Sequence, residues 1–249
     1  MEKGDLIQDL SICGLKYARI LTERAKPEEL QAFRKKYGYI NIYCYSPFVC
    51  SGFRSRIQPT LLIDLSQDLH KIFGNFNANT RNHVRHSEKN SDLELKVLDT
   101  ATDTSYKFYR WIKRMDGAHP DLKREFFRCH LFNAYWKGDM IVTMSFYDNG
   151  NYIRSKHIAS SRKFMGKDAK VVAHASRALI WEVCKWGKAH GRGVFDLGGI
   201  NYMDASKAGI REFKRSFGGI EAEVGIYSYA TRPFLALKRG LNLFHKNIA

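Results

Sequence analysis

The sequence lacks the features that identify several large classes of protein. Its 249 residues contain no apolar run of the roughly 20 residues that a membrane-spanning helix needs. The opening stretch, MEKGDLIQDLSICG, mixes charges and has no apolar segment of the kind found in signal peptides. The five cysteines are scattered and form no C-x-x-C pair, which disfavours a zinc site and a secreted disulfide scaffold. We therefore expect a reduced, cytoplasmic protein.

Several catalytic motifs are also missing. No P-loop and no G-x-G-x-x-G segment is present, which removes support for nucleotide hydrolysis and dinucleotide redox chemistry. The G-x-S-x-G nucleophile elbow is absent as well. His83 and His86 lie three residues apart on a predicted helix, and we interpret them as basic surface rather than as a metal pair.

Positive charge is what the sequence has in excess. It carries 41 Lys and Arg against 25 Asp and Glu, a formal net charge of +16. A charge of this size attracts polyanions such as nucleic acid, anionic lipid or pyrophosphate-bearing substrates. Because the basic residues are spread along the chain, they predict a folded basic face rather than a disordered arm.

Hydrophobic periodicity predicts alternating strands and helices. The predicted strands cover residues 15–21, 39–45, 59–65, 92–99, a hairpin over 140–160, 193–199 and 221–229. The predicted helices cover residues 27–38, 67–73 with Ser66 as the cap, 78–90, 103–116, 121–136, 169–190, 209–217 and 233–249. This order indicates an α/β (α+β) fold with a mixed, mainly antiparallel sheet flanked by helices. We expect one domain over 1–249, in which residues 1–75 can form a small N-terminal lobe.

Three segments together resemble the FemAB family of aminoacyl transferases. NTRNHVRHSEKN (79–90) resembles the family's basic helix, and ALIWEVCKWGKAHGRGVFDLGGI (178–200) resembles its helix and strand ending in D-F/L-G-G. GIREFKRSFGG (209–219) resembles its G-[IL]-x-x-F-K-x-x-F-G-G motif. The three occur in the family's order and extend the resemblance over residues 76–249.

The resemblance implies a GNAT-like acyltransferase fold and transfer of an aminoacyl group from a charged tRNA to an amine on a peptidoglycan precursor. It implies no metal and no tightly bound cofactor, because the acyl donor is a co-substrate: aminoacyl-tRNA, acyl-coenzyme A or acyl carrier protein. Family members usually carry two GNAT-like lobes, and this chain has room for about one lobe and part of another. The acceptor is therefore open between peptidoglycan and an amino sugar of a surface polysaccharide.

The resemblance also points to site residues. The lysine of the family's F-K motif lies at the reaction centre, which corresponds here to Phe213 and Lys214. Lys214 would stabilise the tetrahedral oxyanion while the neighbouring phenylalanines exclude water; the alternative is a surface lysine on an amphipathic helix. Asp196 would orient the amine or accept its proton, or else cap a turn. Gly198 and Gly199 permit close backbone approach, or serve only as turn residues.

A basic track is the expected binding surface for the anionic donor, either tRNA or a phosphopantetheine thioester. Arg81, Arg85 and Lys89 share one helical face, and Arg154, Lys156 and Arg162 around the second hairpin strand would extend the track. The last helix carries an apolar stripe (Phe234, Leu237, Leu241, Phe244 and Ile248) beside basic residues. It packs on the domain or makes peripheral contact with the anionic inner face of the membrane, near an envelope-precursor acceptor.

Two other functions are compatible with the same residues. One is an acetyl-coenzyme A-dependent N-acetyltransferase of an amino sugar. The other is a non-catalytic module that binds tRNA or another RNA through the basic face and keeps a degenerate transferase fold.

Overall fold

A computed structural model describes residues 5–246, with side chains for residues 5–240. The strands are β1 Leu6–Ile12, β2 Leu15–Thr22, β3 Tyr39–Cys44, β4 Arg54–Asp64, β5 Leu93–Val97, β6 His130–Trp136, β7 Asp139–Asp148, β8 Tyr152–Ser160, β9 Val194–Gly199 and β10 Ile220–Ala230. The helices are α1 Pro27–Lys36, α2 Leu69–Asn75, α3 Ala78–Glu88, α4 Thr102–Met115, α5 Lys123–Phe126, α6 Ala169–Ala189, α7 Ala208–Arg215 and α8 Arg232–Lys246. Short 3₁₀ turns at 162–164, 166–168 and 205–207 precede α6 and α7.

The chain divides into two compact units, residues 1–59 with 223–249 and residues 60–222. The expected single domain over 1–249, with its lobe at 1–75, stays a prediction. In the first unit, β1 and β2 form an antiparallel hairpin, β2 pairs parallel with β3, and β3 pairs antiparallel with β10. Helix α1 begins at Pro27, with two glutamates in its first turn and three basic residues in its last, as the macrodipole favours.

The second unit carries a sheet in the order β4-β9-β8-β7-β6-β5. Only β8 and β9 are parallel, and they are joined through α6; the other pairs are antiparallel. The sheet is therefore mixed and mainly antiparallel, as the sequence predicts. Helix α6 buries one face against it, including Val172, Leu179 and Val183, because its apolar residues recur at helical spacing.

Aromatic packing connects the junction between α2 and α3 with α6 and with the residues that follow α7. Phe76 makes edge-to-face contacts with Trp181 and with Phe217, at ring-centroid distances of 5.7 Å and 5.1 Å. Such contacts add to the hydrophobic gain from burial. A smaller core on Tyr109, Ile112 and other residues lies beneath α4.

The predicted helix over residues 121–136 is wrong. Only α5 forms there, and β6 follows at His130 to pair with both β5 and β7. The HLFNAYW segment is rich in aromatic side chains, and pairing on both edges satisfies its backbone while burying Phe132 and Ala134.

Two smaller features also differ from the prediction. Ser66 does not cap α2, which begins after Asp68; the Ser66 hydroxyl and N–H instead donate to the Asp64 carboxylate at the end of β4. Strand β1 was not predicted, since Gln8 occupies a buried position of its LIQDLSI segment and interrupts the apolar alternation. The tight turn at Cys13 and Gly14, both with positive φ, joins it to β2.

Candidate functional site

Asp196, in the middle of β9, connects three neighbouring strands. Its side chain is fully buried and accepts hydrogen bonds from the Thr60 hydroxyl on β4 and from the Gly198 N–H, the latter at 2.7 Å. Its other oxygen pairs with the Arg154 guanidinium on β8, whose side chain is 6% exposed. Of the two uses expected from the sequence, turn capping is therefore present, and the carboxylate also carries a buried ion pair.

Lys214 lies on α7 and reaches back to the end of β9. Its residue is 9% exposed, and its Nζ donates to the carbonyl oxygens of Gly198 and Gly199 at 2.9 Å and 2.8 Å. Burial lowers the pKa of this ammonium to about 8, opposed by Asp196, which raises it, and assisted by Arg154, which lowers it. The structure thus places Lys214, Asp196, Gly198, Gly199 and Arg154 together.

Gly198 of β9 has φ of +82°, a backbone conformation that residues with a Cβ rarely adopt, and a Cβ there would lie in ordinary contact with the lysine Nζ, at 3.5 Å. The second glycine pair of the motif does something else. Gly218 has φ of +66°, and a Cβ there would collide with the backbone oxygen of Asn75, so this glycine fits α7 against the end of α2.

Phe213 on α7 and Phe217, two residues after the end of this helix, form an apolar pair. Phe217 is fully buried and Phe213 half-buried, with their rings perpendicular and 5.1 Å apart. The Arg177 guanidinium of α6 lies 5.3 Å from the Phe213 ring, where a cation–π contact is favourable. Arg177 also donates to the Thr80 hydroxyl of α3 at 3.4 Å, which links α3, α6 and α7 beside the lysine.

The three basic residues predicted as a track on α3 do not share one environment. The Arg81 guanidinium donates to the carbonyls of Gly74 and Phe76 and so closes the end of α2. The Arg85 guanidinium lies 5.7 Å from the Phe73 ring, and Lys89 is exposed at the C-cap. The phosphate-binding role of these three residues stays a prediction.

Lys156 lies in a second polar cluster on β8. Its Nζ is 2.5 Å from the Asp121 carboxylate, which also contacts His157 Nε2 at 2.9 Å. His157 Nδ1 is 2.6 Å from the Ser145 hydroxyl. Although this is the residue set of a serine hydrolase, Ser145 is fully buried, so no substrate reaches it. The set serves to fix Asp121 against the sheet.

A cavity of about 430 Å³ lies at the first turns of α6, against α3. Its polar lining consists of Asn82, His83, His86, Arg162, Lys170 and His174. The lining contains no carboxylate, so it suits an anionic group, and the N-terminal turn of α6 adds its dipole. Burial first, then nearby cations and imidazoles, lowers the pKa of His83 to about 4.

This cavity was not predicted from the sequence. His83 and His86 were interpreted as basic surface, and the structure places His174 beside them, with a ring-centroid distance of 4.5 Å to His83. The available signal was the spacing of Lys170 and His174, which are four residues apart and so lie on one face of α6.

Within residues 5–246, no group of three or more His, Cys, Asp or Glu is placed to hold a metal ion. In the same part of the chain, no helix combines the length and apolar character of a membrane span. In α8, Phe234 is buried beside Tyr39, whereas the side chains of Leu241, Phe244 and Ile248 in the predicted stripe lie outside the described residues.

Comparison with known proteins identifies the fold. No protein-family model and no curated protein matches the chain. Among solved structures, the C-terminal domain of a putative lysylphosphatidylglycerol synthetase from Agrobacterium fabrum is similar, with a TM-score of 0.59 and 13% identity over 96% of this chain and 86% of that chain. FemX has a TM-score of 0.57 and 12% identity, over 92% of this chain and 85% of that chain. A putative GNAT-family acetyltransferase from Novosphingobium aromaticivorans has a TM-score of 0.50 and 13% identity, over 90% of this chain and 91% of that chain. The chain therefore has an α/β, GNAT-like fold, as the resemblance implied.

Proposed function

We propose that this protein is an N-acyltransferase of the FemAB/GNAT type, which forms an amide between an activated acyl or aminoacyl donor and an amine on a cell-envelope precursor. The observation that carries the proposal is Lys214, a nearly buried ammonium held at the end of β9 by two glycine carbonyls. A buried cation without a carboxylate bonded to it is costly, and such groups concentrate at functional sites.

The chemistry of amide formation suits this lysine. Attack of an amine on an ester or thioester places negative charge on the carbonyl oxygen, and a pre-positioned cation in a dry site stabilises that charge strongly. Two of the three Lys214 N–H groups are used by Gly198 and Gly199, which leaves one for the oxyanion. The apolar side of α7, with Phe213, limits water at this point.

The cavity at the start of α6 is the proposed location of the donor's phosphate groups. Its imidazoles provide hydrogen-bond donors, and Arg162 and Lys170 add positive charge, for a tRNA end or a phosphopantetheine arm. The fold supports the assignment by analogy only, since the similar structures include FemX, a putative lysylphosphatidylglycerol synthetase and a putative acetyltransferase. By that analogy we propose that this chain also transfers an acyl or aminoacyl group.

Offering the purified full chain three classes of donor tests the proposal. Aminoacyl-tRNA, acetyl-coenzyme A and an acyl carrier protein thioester are each supplied with a peptidoglycan precursor or with glucosamine as the amine, and donor loss and amide formation are followed. Lys214→Met should abolish transfer while the fold is retained. Lys207→Met is the matched control, because Lys207 precedes α7 and pairs with Asp204 with half of its side chain exposed.

The outcomes of this experiment distinguish between the candidate functions. Transfer from acetyl-coenzyme A alone would replace the tRNA donor with the acetyltransferase alternative. Consumption of no donor, together with salt-sensitive binding of tRNA, would favour the RNA-binding module. An active Lys214→Met protein would remove the lysine from the reaction.

A further inference from the structure

Amide formation also needs a group that takes a proton from the attacking nitrogen, and Asp196 is poorly suited to it. One Asp196 oxygen accepts from the Thr60 hydroxyl and the Gly198 N–H, and the other pairs with Arg154. The carboxylate is fully buried among these donors, so an acceptor amine would have to displace one of them. Protonation would also break the buried ion pair, which is costly.

The hydrogen bonds of Lys214 leave a defined position for a proton acceptor. Carbonyl oxygens only accept hydrogen bonds, so Gly198 and Gly199 hold two N–H groups of Lys214 whether the side chain is an ammonium or a neutral amine. In the ammonium the remaining position is an N–H. In the neutral amine the lone pair must take that position, because the two N–H groups stay on the carbonyls.

The surroundings of Lys214 allow both protonation states near neutral pH. The charged groups that face it are Asp196 on β9 and Arg154 on β8, and these two are paired with each other. Burial is the main cause that lowers the pKa of Lys214, to about 8. Asp196 opposes it, but Arg154 offsets the Asp196 charge, so the carboxylate holds the lysine proton less firmly than an unpaired carboxylate would.

We propose that Lys214 is the proton carrier of the reaction: its neutral amine takes the proton of the attacking nitrogen, and the ammonium so formed returns it to the leaving group. The inference rests on the proposed acyl transfer. In the first step the acceptor amine forms a C–N bond to the donor carbonyl carbon, the C=O electron pair moves to oxygen, and the excess proton on nitrogen passes to Lys214 Nζ.

In the second step the oxygen pair re-forms the C=O bond and the C–O or C–S bond of the donor breaks. The leaving oxygen or sulfur receives the proton from the Lys214 ammonium. The sum is amine plus ester giving amide plus alcohol, or amine plus thioester giving amide plus thiol, with no co-reactant. The ammonium is adjacent to the oxyanion between the two steps, so oxyanion stabilisation and proton transfer use the same side chain at different stages.

The pH dependence of the wild-type enzyme distinguishes a proton carrier from a permanent cation. We would measure kcat/KM between pH 6 and pH 10 with whichever of the three donors is consumed and with hydroxylamine as the acceptor, a nucleophile already uncharged at neutral pH. A proton carrier that starts as the neutral amine predicts a rate that rises with pH and levels off above about 8. A permanent cation predicts the reverse, a rate that falls as Lys214 loses its charge above about 8.

A second variant tests the same point without a pH scan. Lys214→Arg keeps a cation that does not deprotonate in this pH range, so it preserves charge and removes proton transfer. We expect a loss of at least about 100-fold, in the range typical of general acid–base catalysis. Loss below tenfold, or a falling wild-type profile, overturns the proton-carrier role alone. Absence of transfer from every donor in the wild-type protein overturns the proposed function and this role together.

Discussion

Removing Arg154 should destabilise the 60–222 unit strongly, because this residue is buried together with its ion-pair partner. Arg154→Met preserves most of the aliphatic stem but leaves the fully buried Asp196 carboxylate without its cation. Deleting one partner of a buried ion pair costs about 3–5 kcal/mol. Because Asp196 keeps the donors from Thr60 and Gly198 and has the Lys214 ammonium nearby, we expect the lower end, about 3 kcal/mol.

Urea unfolding followed by tryptophan fluorescence measures this cost. All four tryptophans lie at positions 111, 136, 181 and 186, so the signal reports the 60–222 unit. With a urea m-value of about 2 kcal/mol/M, a loss of 3 kcal/mol lowers the midpoint by about 1.5 M. Adding Asp196→Asn, which removes the stranded charge and keeps an acceptor oxygen, should recover part of the loss.

An exposed ion pair provides the control. Lys163→Met breaks a pair with Asp116 in which the lysine side chain is 74% exposed, and such pairs are worth under about 1 kcal/mol. If Arg154→Met costs no more than Lys163→Met, or if the double variant is less stable than Arg154→Met alone, the Asp196 charge is not held by Arg154 as the geometry indicates.

Two further perturbations test other parts of the same unit. Gly218→Ala combines a positive φ with a collision at Asn75, so it should lower the free energy of unfolding in urea by at least about 2 kcal/mol. Gly138→Ala has a positive φ but open space around it and should cost about 1 kcal/mol. Equal costs would contradict the packing role of Gly218. Burial lowers the pKa of His157 to about 4 in the folded protein, so as pH falls the imidazole is protonated in the unfolded chain before it is protonated in the folded one. The free energy of unfolding should therefore fall by about 3 kcal/mol as pH drops from 6.5 to 4. His157→Gln should flatten that fall in the urea midpoint; an unchanged slope would assign it to other groups.

Local pattern was sufficient for much of the fold. Helix α6 and the β7–β8 hairpin follow from apolar spacing and a turn signal, because each depends on neighbours in sequence. The segment from Asp121 to Trp136 was mispredicted because its apolar residues fit helix and strand periods equally well. Only pairing with β5 and β7, which are remote in sequence, selects the strand.

The sequence identified the lysine of the site but not its three-dimensional surroundings. A motif located Lys214 on α7, but its burial and its carbonyl partners depend on how α7 packs over the end of β9. The Arg154–Asp196 pair arises from the parallel register of β8 and β9, in which these two residues are opposite each other. The histidine-lined cavity needs α3 beside α6, and no local pattern places two helices side by side.

The attachment of Lys214 to carbonyl oxygens has a consequence for how such a site changes over time. Every residue type carries a carbonyl, so no replacement of a neighbouring side chain can remove the two groups that hold this lysine. What must persist is the shape of the strand end, to which Gly198 contributes a φ of +82° that other residues rarely adopt. Chains can then diverge widely in the side chains next to the two carbonyls and keep the same anchor for the lysine.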